Sequence, residues 1–311
     1  MKTVVLGSGG WGTALSQILC DNGHETYLWS HSPAKAAEMA RTRENPLLQG
    51  VHLPESLHIT GDLGCLRCAD LVVSAPPSFA VRETAKKMAP YLTEKTVVVS
   101  VSKGIERDTN LRLSQVIQEE TGNICKVAVL SGPSHAEEVG IRLPTGCVAA
   151  CLDVDAARFV QDAFMNDYFR VYTSGDVVGV ELAAALKNVI ALSCGVCDGL
   201  GYQDNTKALL MTRAMAEITR LGEKLGGSRQ TFGGLAGMGD LIVTCASVHS
   251  RNRKAGYLMG KGYTMQQAMD EVKMVVEGVY SAKAAIALAK KYGVDMPIIE
   301  EVNCVLFEDK P

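Results

Sequence analysis

Residues 2–30, KTVVLGSGGWGTALSQILCDNGHETYLWS, decide how this chain folds. The apolar run TVVL at 3–6 is too short for a helix and ends in glycine, so it reads as a buried strand. A helical segment follows from about Trp11 to Asp21, and ETYLWS makes a second strand ending near Ser30. Between the first strand and the helix stands Gly7-Ser8-Gly9-Gly10-Trp11-Gly12, which fits G-x-G-x-x-G. Alone that pattern is weak; following a strand and opening a helix, it has a mechanism. Gly7 permits the tight turn, Gly9 lets backbone N–H groups approach a pyrophosphate, and Gly12 lets helix and strand pack closely. The helix N-terminus favours the anion. The expected ligand is a dinucleotide.

Outward from this stretch, Val-rich runs recur at 70–75, 96–101, 127–130 and 147–152, with helical segments at 34–43, 78–91 and 110–121. Continuous apolar runs imply strands covered on both faces, as in a parallel sheet. Alternation of strands and helices is the pattern of a doubly wound α/β domain. After Gly175 the pattern changes to helices at 176–197, 206–225, 251–259, 264–271, 277–292 and 296–307, with one short Val-rich run, IVTC, at 242–245. The expected class is therefore α/β: a Rossmann-type dinucleotide-binding domain over 1–174, then an all-α substrate and catalytic domain over 175–311.

Composition narrows the function. A chain of 311 residues exceeds one ordinary core, and a net charge of -3 leaves no general footprint for nucleic acid or an anionic membrane. No stretch approaches the roughly 18 uninterrupted apolar residues of a membrane span. The N-terminus runs from Met straight into a strand, without the basic head and cleavage site of a secretory signal, so a cytoplasmic protein is expected. The ten cysteines include two C-x-x-C pairs, Cys65/Cys68 and Cys194/Cys197, far too widely separated for a zinc ribbon. They are expected to be free, small core residues, and no histidine spacing suggests a metal.

Several polar residues stand out against this background. In VVGVELAAALKNVIALSCGV, the same-face neighbours of Lys187 are Ala183, Ala184, Ile190 and Ala191, all apolar. Such a lysine either snorkels at an edge or is desolvated, with a pKa moved toward neutrality that suits a hydroxyl proton. Asn188 beside it is the expected hydrogen-bonding partner. Ser102-Lys103-Gly104 and Ser131-Gly132-Pro133-Ser134-His135-Ala136 follow strands, where open α/β sheets bind ligands. Asp240 directly follows the glycine-rich segment 233–239, and either holds Lys187, holds a substrate hydroxyl or caps a turn. Ser250-Arg251-Asn252-Arg253 opens a helix and combines a guanidinium fork with a hydroxyl and an amide, a phosphate cradle or an N-cap with solvated arginines. At the end of the second strand the fingerprint expects an acid for the ribose 2′-hydroxyl, yet the chain reads Trp29-Ser30-His31-Ser32. NADP is therefore allowed and NADPH slightly favoured over NADH, with Arg41 and Arg43 as candidate partners of a 2′-phosphate.

Taken together, GSGGWGTAL (7–15), SKG (102–104), LSGPSHAEE (130–138), the stretch ELAAALKNVIALSCGVCDGLGYQDNTKALLMTRAMAE (181–217), GLAGMGDLIVTC (234–245), SRNR (250–253) and VVEGV (275–279) resemble the bacterial NAD(P)-dependent glycerol-3-phosphate dehydrogenase family. The resemblance is collinear from residue 3 to about 307. It implies reversible reduction of dihydroxyacetone phosphate to sn-glycerol 3-phosphate, feeding phospholipid synthesis, in a homodimer. It makes Lys187 the proton donor and acceptor, with Lys103 between cofactor and substrate. It gives Gly132, Ser134, Asp240, Ser250, Arg251 and Asn252 to the substrate, and Ser8, Gly9, Gly10, Trp11, His31, Ala136, Arg251, Val275 and Glu277 to the cofactor. Many members carry arginine directly after the second strand, where this chain has His31-Ser32. Members also continue through one more helix beyond Asp309-Lys310-Pro311, so a naturally short or shortened chain is expected. Competing readings are a β-hydroxyacid or sugar-acid dehydrogenase of the same architecture, and a non-catalytic sensor of cofactor ratio that would leave Lys187 without a purpose.

Overall fold

The described residues form one eight-stranded sheet: β1 (Lys2–Leu6), β2 (Glu25–Trp29), β3 (His58–Thr60), β4 (Leu71–Ser74), β5 (Val97–Ser100), β6 (Lys126–Ser131), β7 (Thr145–Ala150) and β8 (Phe169–Ser174). Their spatial order is β3-β2-β1-β4-β5-β6-β7-β8. Neighbouring strands run parallel except β6 and β7, which pair antiparallel. In this computed structural model, which describes residues 1–308 and 310, the sheet belongs to one of two compact units. That unit comprises Met1–Ser102 and Leu113–Val177; the other comprises Lys103–Arg112 and Val178–Pro311. Asp309 and Pro311, part of the expected short end, lie outside the described residues.

In the first unit the helices are α1 (Gly10–Asp21), α2 (Pro33–Thr42), α3 (Val81–Met88), α4 (Leu113–Glu120), α5 (Ala136–Gly140) and α6 (Val154–Phe164). Leu15, Ile18 and Leu19 of α1 and Val160, Ala163 and Phe164 of α6 share one core with Val5, Val73 and Val99 of the sheet. The strand order reverses between β1 and β4, and the Gly-rich turn leaves β1 at that switch point, the place where such sheets bind ligands. Four of these elements escaped the sequence reading, the short helix α5 among them. The edge strand β3 has three residues, β8 alternates buried and exposed positions instead of running apolar, and α6 is announced by Asp153, whose carboxylate accepts from the N–H groups of Asp155 and Ala156. The Val-rich run expected at 147–152 starts two residues earlier, at Thr145.

The second unit holds α7 (Val177–Leu200), α8 (Asp204–Lys224), α9 (Arg229–Gly233), α10 (Asp240–Ala246), α11 (Arg251–Gly260), α12 (Met265–Val272), α13 (Glu277–Tyr292) and α14 (Pro297–Phe307). IVTC lies inside α10, where its apolar side chains follow a helical period. Helix α7, though interrupted by Glu181, Lys187 and Asn188, is the most apolar long helix among the described residues. By length and a mean hydropathy of 1.7 it could cross a membrane, yet 89% of that window is buried inside the protein, as a central core helix is. Glycines let α11 approach it closely. A Cβ on Gly195 would stand 2.0 Å from the Arg253 carbonyl oxygen, and one on Gly256 would stand 1.9 Å from that of Leu192. This contact seats the start of α11 beside the middle of α7.

The expected ranges 1–174 and 175–311 put Lys103–Arg112 with the sheet, whereas this excursion belongs with the helical unit. Ile105 is buried in the helical core and bridges to Arg112. Arg112 pairs with the buried carboxylate of Glu181 on α7 at 2.5 Å, and the Arg107 guanidinium lies 3.4 Å from the ring centre of Tyr280. A buried apolar anchor, an ion pair and a cation–π contact thus fix a ten-residue strap whose first residue is Lys103.

Candidate active site

Lys187 lies in the middle of α7 with only 4% of its surface exposed. Its ammonium does not snorkel. Nζ donates to Asp240 Oδ1 at 2.6 Å and to Thr244 Oγ1 at 2.5 Å. Desolvation pushes Lys187 down to about 8, with Lys103 adding repulsion and Asp240 working in the opposite direction. The other Asp240 oxygen, Oδ2, accepts from Lys103 Nζ at 2.8 Å. Burial alone would raise the Asp240 carboxyl, but the flanking ammonium groups of Lys103 and Lys187 hold it below the usual carboxylate range. One buried carboxylate therefore joins two lysines that lie far apart in sequence.

The backbone explains how Asp240 gets there. Residues Leu235–Gly239, within the glycine-rich segment, form a wide π-helical turn that runs directly into α10. Such turns interrupt α-helices preferentially at functional positions. Gly237 is required in it, because a Cβ would stand 2.1 Å from the Phe232 carbonyl oxygen. Thr244 follows Asp240 by one helical turn, donates to the Asp240 carbonyl oxygen at 2.6 Å and accepts from Lys187. It was missed in the sequence, although D-x-x-x-T on a helix carries the signal.

Asn188 does not bond Lys187 as expected. Its Oδ1 accepts from Asn252 Nδ2 at 3.0 Å, and its own amide donates to the Ala184 carbonyl. Residues i and i+1 of a helix point in different directions, so Asn188 turns toward α11 while Lys187 turns toward α10. Asn252 Oδ1 in turn accepts the Gly278 N–H at 2.9 Å, which draws the starts of α11 and α13 together. Arg251, Val275 and Glu277, all assigned to the cofactor by resemblance, stand around that junction at the first residues of α11 and the approach to α13. Ser250 caps α11, its buried hydroxyl accepting from the Arg253 N–H. Arg253 pairs with Asp198 at 2.7 Å, so it is structural. Arg251 is exposed, and among the described residues no carboxylate pairs with it.

Within the sheet unit, Gly7 has φ +125°, and a Cβ on it would stand 2.7 Å from the Ala75 carbonyl oxygen. A Cβ on Gly12 would stand 2.1 Å from the Gly7 carbonyl oxygen, the close packing the fingerprint requires. Around Gly9 nothing lies within 4 Å of such a Cβ, and no side chain caps α1 there. The turn therefore has open space and uncapped N–H groups where a pyrophosphate belongs, and the residues fit a dinucleotide. Gly10 serves a different purpose, since the Leu47 carbonyl oxygen would lie 2.5 Å from its Cβ. Ala136, at the start of α5, also lies against Gly10. The Trp11 ring packs on the sheet core beside Phe169 with its buried Nε1 unpartnered. Ser134 donates to the Gly132 carbonyl at 2.9 Å, making a tight turn beyond β6. His31 is exposed just past β2. Arg41 pairs with Glu38, and Arg43 with the carbonyl oxygens of Leu57 and Pro54 and the carboxylate of Glu55. Arg43 is held against backbone carbonyls, whereas the Arg41 pair is exposed on both sides.

Comparison with known proteins agrees with this geometry. The family model for the N-terminus of NAD-dependent glycerol-3-phosphate dehydrogenase matches residues 2–157, and that for its C-terminus matches residues 176–311. The glycerol-3-phosphate dehydrogenase [NAD(P)+] of Agathobacter rectalis is 55% identical over 309 residues, covering 99% of this chain and 92% of that protein. That of Bacillus subtilis is 50% identical, covering 98% and 90%. The crystal structure of glycerol-3-phosphate dehydrogenase from Coxiella burnetii superposes with a TM-score of 0.94 at 34% identity, covering 99% of this chain and 95% of that one. The chain belongs to the NAD-dependent glycerol-3-phosphate dehydrogenase family.

Proposed function

We propose that this chain interconverts dihydroxyacetone phosphate and sn-glycerol 3-phosphate, with Lys187 as the group that gives and takes the hydroxyl proton. The observation that carries the reading is the buried Lys187–Asp240 pair, in which a lysine pushed down to about 8 can exchange a proton near neutrality. The sheet unit takes the dinucleotide at Gly7–Gly12, and the helical unit takes the phosphorylated ketone. When bound, NAD(P)H supplies the hydride that the carbonyl carbon receives. Lys187 donates a proton to the carbonyl oxygen as negative charge develops there, and Asp240 holds the ammonium in place. Lys103, fixed by its strap, adds a second positive charge facing the same oxygen. Arg251 and the N-terminus of α11 bind the phosphate. In the reverse direction neutral Lys187 removes the proton.

Product made in this direction supplies glycerophospholipid synthesis. Ten free cysteines support a reducing, cytoplasmic setting. The family resemblance of the helical unit supports a homodimer. The test is turnover of Lys187→Ala with dihydroxyacetone phosphate. Loss of a general acid costs about 10²- to 10⁴-fold in kcat, while NADPH still binds. Turnover equal to that of the unchanged protein sinks the assignment.

A further inference from the structure

We propose that Lys35 recognises the 2′-phosphate of NADP(H) and makes this chain discriminate in favour of NADPH. The inference rests on the sheet unit binding a nicotinamide dinucleotide, and it is carried by three observations. First, the end of β2, where NAD-selective sheets of this order place an acid, presents Ser30, His31 and Ser32. The Ser30 hydroxyl is buried and accepts from Ser8 Oγ at 2.9 Å, so no carboxylate repels a phosphate there. Second, Ser32 caps α2, its hydroxyl accepting from the Lys35 N–H, and this turns the Lys35 side chain back onto the Gly-rich loop. Lys35 Nζ donates to the Ser8 carbonyl oxygen at 2.8 Å. The ammonium is thereby held between the pyrophosphate turn and the end of β2, at the ribose end of the fingerprint.

Third, this cation has no counter-charge. Among the described residues no carboxylate lies within 4.0 Å of Nζ, and partial burial pushes Lys35 below its ordinary value with nothing to offset it. A half-desolvated ammonium bonded to one neutral carbonyl is costly unless an anion joins it. Of the basic residues that follow, Arg43 is held by backbone carbonyls and Glu55, and Arg41 lies nearly two turns farther along α2, paired with exposed Glu38. Lys35 also sits in the first turn of a ten-residue helix, whose dipole adds to its attraction for a dianion.

The experiment compares dissociation constants of NADPH, NADH, 2′,5′-ADP and 5′-ADP, by quenching of tryptophan fluorescence and by calorimetry. It uses the full chain and its Lys35→Met and Lys35→Arg variants. Lys35→Met retains the apolar stem, and a melting curve checks that it folds. It should weaken NADPH and 2′,5′-ADP by about ten- to a hundred-fold and leave NADH and 5′-ADP nearly unchanged. Lys35→Arg should retain most of the preference. Equal weakening of all four ligands would mean that Lys35 only fixes the Ser8 carbonyl, and unchanged NADPH binding would mean that it does nothing for the phosphate. Either result overturns the inference and leaves the dehydrogenase reading standing. Failure of the unchanged protein to bind either dinucleotide overturns both.

Discussion

Replacing Asp240 by Asn tests the charge arrangement at the centre of the helical unit. The substitution keeps shape and removes one charge, leaving Lys187 with Thr244 and facing Lys103 without a screen. Lys187 and Asp240 are 4% and 1% exposed, so solvent replaces little of what is lost. A hydrogen bond to a charged group contributes about 1.5–3 kcal/mol, and burial argues for the upper end. About 3 kcal/mol corresponds to roughly two units of pKa. With Lys187 near 8, about nine molecules in ten carry the proton at pH 7. A fall of about two units leaves on the order of one in ten, hence a roughly ten-fold loss of ketone reduction from protonation alone. The sign is definite. Reduction needs the protonated lysine, so its rate falls as pH rises through about 8 in the unchanged protein and through a lower pH in Asp240→Asn. Oxidation needs the neutral amine and rises through the same pH. The assay is kcat against pH in both directions, followed at the nicotinamide absorbance. A limb that stays near 8 in the variant would refute the claim that Asp240 sets the Lys187 proton affinity.

Two further contrasts follow from neighbouring residues. Gly9→Ala should leave the melting temperature unchanged and weaken dinucleotide binding, because its Cβ meets nothing in the protein. Gly12→Ala should cost about 1–3 kcal/mol of stability as well, since its Cβ would meet the Gly7 carbonyl oxygen at 2.1 Å; thermal melting and NADPH titration separate the two. Arg251→Ala should raise KM for dihydroxyacetone phosphate about ten- to a hundred-fold without lowering thermal stability, whereas Arg253→Ala, which leaves the half-buried Asp198 with Lys207 alone and removes an ion-pair link between α7 and α11, should lower stability. Identical behaviour of the two arginine variants in both assays would contradict their assigned roles.

The Gly-rich turn was legible because its chemistry is local: three glycines, a strand before and a helix after. Lys187 was legible because an apolar helix face makes a lysine conspicuous. What could not be read was the partner of each polar side chain. Asn188 adjoins Lys187 in sequence but points elsewhere, while Asp240 and Lys103 reach it from other segments. A helical period tells which residues share a face, but not which segment covers that face. Lys35 was overlooked for a related reason. Arg41 and Arg43 looked more suitable by type, yet Lys35 in the first turn is the cation whose position after the Ser32 cap sends it toward the loop. The edge strand β8 hid because its outer face is wet, and alternation over six residues competes poorly with the Val-rich runs beside it.

The strap Lys103–Arg112 explains why two lysines should share a single carboxylate. Lys103 and Lys187 bring two positive charges and Asp240 one negative charge, so the buried cluster carries an excess of one positive charge when both lysines are protonated. In a site of low polarity that excess is unfavourable, and the protein relieves it through the weaker proton affinity of Lys187. A ketone oxygen that gains negative charge relieves it too, and does so only as the reaction proceeds. The cluster is therefore poorly matched to its own resting state and better matched to a developing alkoxide, which is the condition for accelerating the chemical step and not merely binding the substrate. Anchoring the strap through Ile105, Arg107 and Arg112 fixes the backbone from which the Lys103 ammonium reaches Asp240. The same anchoring makes the proton affinity of Lys187 depend on residues that touch neither substrate nor cofactor.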